Sequence, residues 1–257
     1  MSGIEAFSPK GMLHEGWSSQ VDDYAIVCEW ALNGEAFIVG DVAGGLYSFE
    51  GKSGNRIWQR KDIHEGGLLA LSIQPEGHVF ATAGQDGQVL VWDAKKGESS
   101  KVLKLGKGWV EHLKWSPDSR FLAVVFSRYV YVFDADGLEK WRSEAHPSTV
   151  SSIAWSNSNE LATACYGRVT FFDVDDGHVN QKLEWQGSLV SMVLSPDGDV
   201  IACGSQDNSV HFWRRSTALD AEMTGYPGKP SHLAFDQTGS VLATSGSHVV
   251  TVWSFQG

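Results

Sequence analysis

The chain alternates short apolar runs with polar turns, and no stretch keeps the 3.6-residue period of an amphipathic helix, so very little helix is expected. A β-branched run ending in an aromatic recurs as LYSFE (Leu46 to Glu50), VLVWD (Val89 to Asp93), VYVFD (Val130 to Asp134), VTFFD (Val169 to Asp173), VHFWR (Val210 to Arg214) and VTVWS (Val250 to Ser254). Its aromatics Phe49, Trp92, Phe133, Phe172, Trp213 and Trp253 stand 39 to 43 residues apart. A second register, Trp30, Ile73, Trp115, Trp155, Leu194 and Phe235, keeps the same step. Turn chemistry follows it, as in Ser116-Pro117-Asp118-Ser119 and Ser195-Pro196-Asp197-Gly198, where Pro presets φ and Asp or Gly closes the turn. Then comes another β-type run (VFATAG, FLAVVF, ELATAC, VLATSG), and after the aromatic register a weaker fourth (RIWQR, KVLKL, EKWRS, QKLEW).

Such a four-stranded unit has two apolar faces and cannot bury both alone; radial stacking of units buries both and leaves only short edges. The pattern predicts an all-β fold, a β-propeller occupying 1–257 as one domain. A lead-in over 1–20 precedes repeats at about 21–62, 63–106, 107–144, 145–185, 186–226 and 227–257. An open sheet edge at the last repeat calls for a closing strand. The segment around Phe7 to Leu13 is expected to pair beside Val249 to Phe255. Two geometries follow, a closed ring of six or a seven-bladed ring lacking its last blade, and the second is slightly favoured.

The second repeat carries His64, Thr82, Asp86 and Trp92 in the arrangement IHEGG…ATAGQDGQVLVWD. It resembles the WD-repeat (WD40) propellers, whose Asp-His-Ser/Thr-Trp tetrad ties an outer loop to the third strand. The resemblance covers Val21 to Ser254 and implies a docking platform. Other repeats depart from the pattern: the fifth has Cys203 where a hydroxyl belongs, and the fourth keeps only His146, with Phe172 in place of Trp. The third, fourth and sixth lose the Asp position. The first, GGLYSFEGKSGNRIW, is similar to the tryptophan-docked repeats of quinoprotein-type propellers.

Charge and chemistry narrow the function. Twenty Lys+Arg against 31 Asp+Glu give −11, which argues against nucleic acid as a partner, since that binding rests on cationic side chains. No apolar run approaches the ~18 residues of a membrane-spanning helix, and Met1 to Lys10 has no signal-peptide pattern. Cys28, Cys165 and Cys203 are odd in number, scattered and within apolar stretches, which points to a reducing, cytoplasmic setting. Gly45 to Ser53 misses the phosphate-loop spacing and is flanked by strands. The Asp-rich turns at Phe133 to Gly137 and Phe172 to Gly177 lack the distal Glu of a calcium loop. Nine histidines show no metal-ligand spacing. No catalytic constellation, metal site or cofactor is expected.

Function then falls to the loops of a rigid scaffold. The expected partner-binding rim comprises Gln85, Trp109, Arg128, Tyr166, Arg168, Leu189, Gln206 and His248, with Lys107 and Pro230 beside them. The leading reading is a non-catalytic scaffold that docks a protein or peptide, with Arg128, Arg168, Tyr166 and Trp109 recognising an acidic or carboxylate-bearing segment. Two alternatives stand beside it: a small-molecule- or metal-binding propeller distantly like the quinoprotein type, and a structural subunit of a stable complex. Trp17 and Trp109 fall outside the repeat; each is a binding anchor or a lid over a blade.

Overall fold

The computed structural model describes residues 16–157 and 159–255. Its first three repeats are antiparallel four-stranded sheets: β1 (Ala25–Ala31), β2 (Ala36–Asp41), β3 (Leu46–Glu50) and β4 (Arg56–Arg60); β5 (Leu68–Ile73), β6 (Val79–Gly84), β7 (Gln88–Asp93) and β8 (Glu98–Lys104); and β9 (His112–Trp115), β10 (Phe121–Phe126), β11 (Tyr129–Asp134) and β12 (Glu139–Arg142). A six-stranded sheet then runs β13 (Ser152–Asn157), β14 (Glu160–Asp173), β15 (Val179–Leu194), β16 (Val200–Ser205), β17 (Val210–Arg214) and β18 (Leu219–Met223). The last sheet has β19 (Leu233–Phe235), β20 (Val241–Thr244) and β21 (Thr251–Ser254). Among the described residues the one helical element is a 3₁₀ turn at Leu32–Gly34.

Five sheets thus hold six repeats, because two share a strand. β14 doubles back at Tyr166–Gly167, where Gly167 has φ +86°, and Thr163 Oγ1 reaches Thr170 O at 3.4 Å. Its second half pairs with the start of β15 (Val169 opposite Leu183), while the end of β15 pairs with β16 (Met192 opposite Cys203). The last repeat has three strands among the described residues. The expected closing strand around Phe7 to Leu13 lies outside the described residues. Inner strands touch in sequence, β1 to β5, β5 to β9, β9 to β13, β13 to β15 and β15 to β19. No comparable contact joins β19 to β1 among the described residues, so they form an incomplete propeller.

Each core sits between two neighbouring blades. Ile38, Leu46 and Trp58 pack on Leu71, Phe80 and Trp92, and Phe121, Val132 and Trp141 on Ile153, Leu161 and Phe172. This placement explains the sequence pattern: a middle strand such as β10 is covered on both faces and reads as an unbroken apolar run, whereas the outer β8 alternates toward solvent. On the open side of the first blade Trp17 and Val21 cover Val39, Tyr47 and Phe49, so Trp17 is a lid. Cys28, within an apolar stretch of the sequence, is exposed on β1 because no blade covers that face among the described residues.

Indole clamps lock blade to blade. Trp58 Nε1 donates to Ala94 O at 3.1 Å and Trp141 Nε1 to Val174 O at 2.6 Å, each reaching a turn of the following blade; Trp17 Nε1 donates likewise to Gly51 O at 3.0 Å. The rings lie against Gly97, Gly177 and Gly54, where a Cβ would stand 2.5 to 2.7 Å from an indole carbon. These glycines also have positive φ, from +62° to +75°, so two constraints exclude a side chain there. Between the fourth and fifth blades an ion pair takes over. Arg215 grips Glu160 with two nitrogens at 2.7 and 2.9 Å, bonds Gln181, and lies over the Phe171 ring at 3.9 Å.

Phe80 is fully buried, stacked between Trp58 at 6.2 Å and Trp92 at 6.0 Å. Phe80→Ala is expected to cost about 3–5 kcal/mol in urea unfolding. A loss under about 1 kcal/mol, the level of a surface change, would contradict this interblade packing.

Candidate functional site

The second blade shows how its outer loop is tied down. Trp92 Nε1 can only donate, and it gives its proton to Thr82 Oγ1 at 2.9 Å. The Thr82 hydroxyl donates to His64 Nε2 at 2.9 Å, which leaves Nδ1–H to donate to Asp86 at 3.0 Å. Asp86 also accepts the Gln88 and Glu65 amides. The chain of donors needs a neutral imidazole. Burial lowers the His64 pKa, and this outweighs the carboxylate, which favours the proton. The close His64–Asp86 pair is therefore a hydrogen bond from a neutral ring.

Other blades vary the same device at the position four residues before the inner strand begins its buried run. In the fourth blade His146 Nε2 lies 3.0 Å from Thr163 Oγ1, and Nδ1 donates to Arg128 O at 3.0 Å. The expectation that His146 stands alone there is corrected: Thr163 matches Thr82, and a backbone carbonyl of the preceding blade replaces the carboxylate. In the sixth blade Tyr226 takes the histidine's place, its hydroxyl 2.7 Å from Thr244 Oγ1, with Trp253 Nε1 donating to both at 3.0 Å. In the fifth the position is Trp185, stacked on His211 at 3.7 Å. His211 is buried and neither ring nitrogen has a hydrogen-bond partner among the described residues; Asp220 stands 3.4 Å from Nε2 without hydrogen-bonding geometry.

The rim residues divide. Gln85, Arg128, Tyr166, Arg168, Gln206 and His248 lie in second-to-third-strand connections of successive blades, hence at one end of the fold. Gln85 and Trp109, with Lys107 and Gln88, line a surface cleft of 400 Å³; Trp109 is 56% exposed and Tyr166 54%. Arg128 Nε donates to His146 O at 2.6 Å, and Arg168 lines a second cleft beside His146, so these two guanidinium groups flank one buried histidine. Gln206 and His248 are exposed on later blades and line neither cleft. Leu189 is not a rim side chain: it is 2% exposed and packs with Ala164, Val169 and Trp213, because β15 carries it straight into the core. Pro230 is buried too. Arg142 and Lys182, which also line the second cleft, escaped the reading of the repeat because they sit on outer strands.

The Asp-rich turns are held by their own backbones: Asp134 accepts the Asp136 and Leu138 amides, and Asp173 accepts that of Asp175. Among the described residues no group of three or more His, Cys, Asp or Glu side chains is placed to hold a metal ion. No helix there is long and apolar enough to cross a membrane.

Comparison with known proteins adds to this geometry. The family model for the WD domain, G-beta repeat, matches residues 176–214. The model described as outer membrane protein assembly factor BamB matches residues 43–188, the span holding the Trp58 and Trp141 clamps. "Cell division cycle 20.1, cofactor of APC complex" of Arabidopsis thaliana is 30% identical over 67% of this chain and 39% of its own length. Echinoderm microtubule-associated protein-like 2 of Rattus norvegicus is 24% identical over 89% of this chain and 43% of its own. Autophagy-related protein 16 of Arabidopsis thaliana is 24% identical, over 73% and 38% respectively. The chain thus spans about two fifths of the length of these relatives. A chain of a mitotic checkpoint complex crystal structure superposes with a TM-score of 0.79 at 20% identity, covering 93% of this chain and 77% of that one.

Two measurements test the buried histidines. His64, His112, His146 and His211 all have pKa values held below the ordinary 6.5, in each case chiefly by burial. The unfolded chain takes up protons near pH 6.5 while the folded one resists, so stability is full above that value and falls as pH drops below it. Thermal melts are expected to show a lower Tm at pH 5.5 than at pH 7.5; a flat profile would contradict the neutral rings. Thr82→Val strips both Trp92 and His64 of their partner and is expected to cost about 1–3 kcal/mol. Urea unfolding within 0.5 kcal/mol of the parent protein, the usual surface range, would count against the donor chain.

Proposed function

We propose, from the premise that the chain belongs to the WD40-repeat β-propeller family and, over residues 43–188, to that of the outer membrane protein assembly factor BamB, that it is a scaffold which docks a protein partner on its loop rim. It acts by binding and not by chemistry. The observation that carries this reading is the pairing of Arg128 and Arg168 around His146. Neither guanidinium meets a carboxylate within ion-pair distance among the described residues, although acidic residues outnumber basic ones in the chain. Cations without a carboxylate partner on such a surface are suited to an anionic segment of another molecule.

Trp109 supports the reading from the adjacent blade boundary. An exposed indole beside a polar cleft is the residue type that anchors interfaces. The name of the Arabidopsis relative at 30% identity, a cofactor of the APC complex, agrees with a role exercised through other proteins. The tryptophan clamps need no ligand: each indole is satisfied by a carbonyl of the next blade, so the quinoprotein-like pattern is accounted for by packing.

The test begins with partners captured on the immobilised chain and identified by mass spectrometry. The purified partner is then titrated against Arg128→Glu/Arg168→Glu and against Trp109→Ala. Affinity is expected to fall at least tenfold for the double variant. Unchanged affinity in a variant of unchanged Tm would overturn the rim assignment.

A further inference from the structure

The cleft beside His146 has a composition unlike the rest of the surface. It lies between the outer strand of the third blade and the fourth blade, with a volume of 260 Å³, and Arg142, Arg168 and Lys182 line it against one carboxylate, Glu144. In a chain of net charge −11, three cations at one opening form a local reversal of sign. None of the three makes an ion pair among the described residues, whereas Lys61, Lys101, Arg120, Arg214 and Arg215 all do. Glu184 stands opposite Arg168 in the strand register but outside ion-pair distance.

Arg168 Nε is buried and has no hydrogen-bond partner among the described residues; it is closed to solvent, so what this side chain offers the cleft is the charge of its guanidinium group. The opening is otherwise well held. Arg142 lies over the rings of Tyr129 and Tyr131 at 5.8 and 5.7 Å, the Ser143 hydroxyl accepts the Val130 amide at 3.0 Å, and His146 is fixed on both nitrogens. Phe172 and Val179 give it an apolar wall. The floor contributes no charge of its own, since burial and the nearby Arg168 and Arg128 charges hold His146 below its ordinary pKa while only the Arg128 carbonyl favours its proton.

We infer that this interblade cleft binds the phosphoryl group of a phosphorylated peptide side chain, gripped by Arg142, Arg168 and Lys182. This deepens the docking function proposed above and rests on it. The charge balance selects the occupant. Three cations around one small opening match a dianion with three acceptor oxygens better than a single carboxylate. A lone phosphoryl group supplies that charge at one point and needs no run of carboxylates along the docked segment. The apolar wall takes the aliphatic part of the modified residue, and the neighbouring Arg128 and Tyr166 receive the flanking chain.

The experiment uses the full chain and fluorescein-labelled peptide libraries with random flanks and a fixed central phosphothreonine, threonine or glutamate. Expected are saturable binding of the phosphothreonine library, at least tenfold weaker binding of the other two, and competition by inorganic phosphate. Arg142→Gln/Lys182→Gln, both at exposed positions, is expected to weaken the phosphothreonine library at least tenfold with unchanged Tm. If that variant lost its fold, Lys182→Gln alone with the inorganic phosphate competition would serve in its place. Equal binding of the glutamate library, binding unaffected by these variants, or association with phosphoinositide vesicles but not with the phosphothreonine library would each overturn the inference. The captured partner separates the two readings. Affinity lost in Arg128→Glu/Arg168→Glu but kept in Arg142→Gln/Lys182→Gln removes the phosphoryl cleft and leaves the rim standing; affinity kept in both removes the rim as well.

Discussion

A four-stranded blade has apolar side chains on both faces, and each face is buried only by the blade next to it. Everything else in the fold answers to that constraint. The cores are a series of interfaces, not one centre, so stability is approached as a sum of repeat terms and nearest-neighbour terms. That is why so many directional contacts are spent at the boundaries: indoles over glycines where a tryptophan is available, and a two-pronged Arg215–Glu160 contact where it is not. Carboxylate burial works against Glu160, but the Arg215 guanidinium holds its pKa below the ordinary range, so it stays charged and paired.

The same constraint governs the polar interior. A loop that passes from the outer strand of one blade to the inner strand of the next must cross the top of a core, and its anchor is a side chain hydrogen-bonded to a hydroxyl on the middle strand. Histidine serves in two blades and tyrosine in another. What is preserved is one polar side chain over one hydroxyl; the residue that supplies it varies. Neutral rings suit this place because a buried charge without a full set of partners is far more costly than a satisfied neutral group.

Much of the fold was legible in the sequence because two aromatic registers repeat in step, and a strand buried on both faces leaves an unbroken apolar run. The second-blade tetrad was legible because all four members fall within one repeat. Thr163, Tyr226 and Trp185 were harder: they occupy the right positions, but a search by residue type passes over them. Counting four residues back from Leu68, Val150, Leu189 and Pro230 finds His64, His146, Trp185 and Tyr226 together. Leu189 misled because Gln186-Gly187-Ser188 reads as a loop, whereas the chain stays extended through it. The cleft of Arg142, Arg168 and Lys182 was invisible for a different reason. Its members belong to different strands of two repeats and meet only when the blades stack.

The unbroken course of β15 has a mechanical consequence. Elsewhere the path from one blade to the next passes through a loop, which can absorb a small rotation between sheets. Between the fourth and fifth blades the backbone is one strand of 16 residues, hydrogen-bonded to one sheet at its start and to the other at its end. A twist applied to either blade is passed on through the ladder instead of being lost in slack. The fourth and fifth blades are therefore joined twice, by the faces they pack together and by one hydrogen-bonded strand. The seam between the third and fourth blades, where the three cations gather, has a loop in place of that strand.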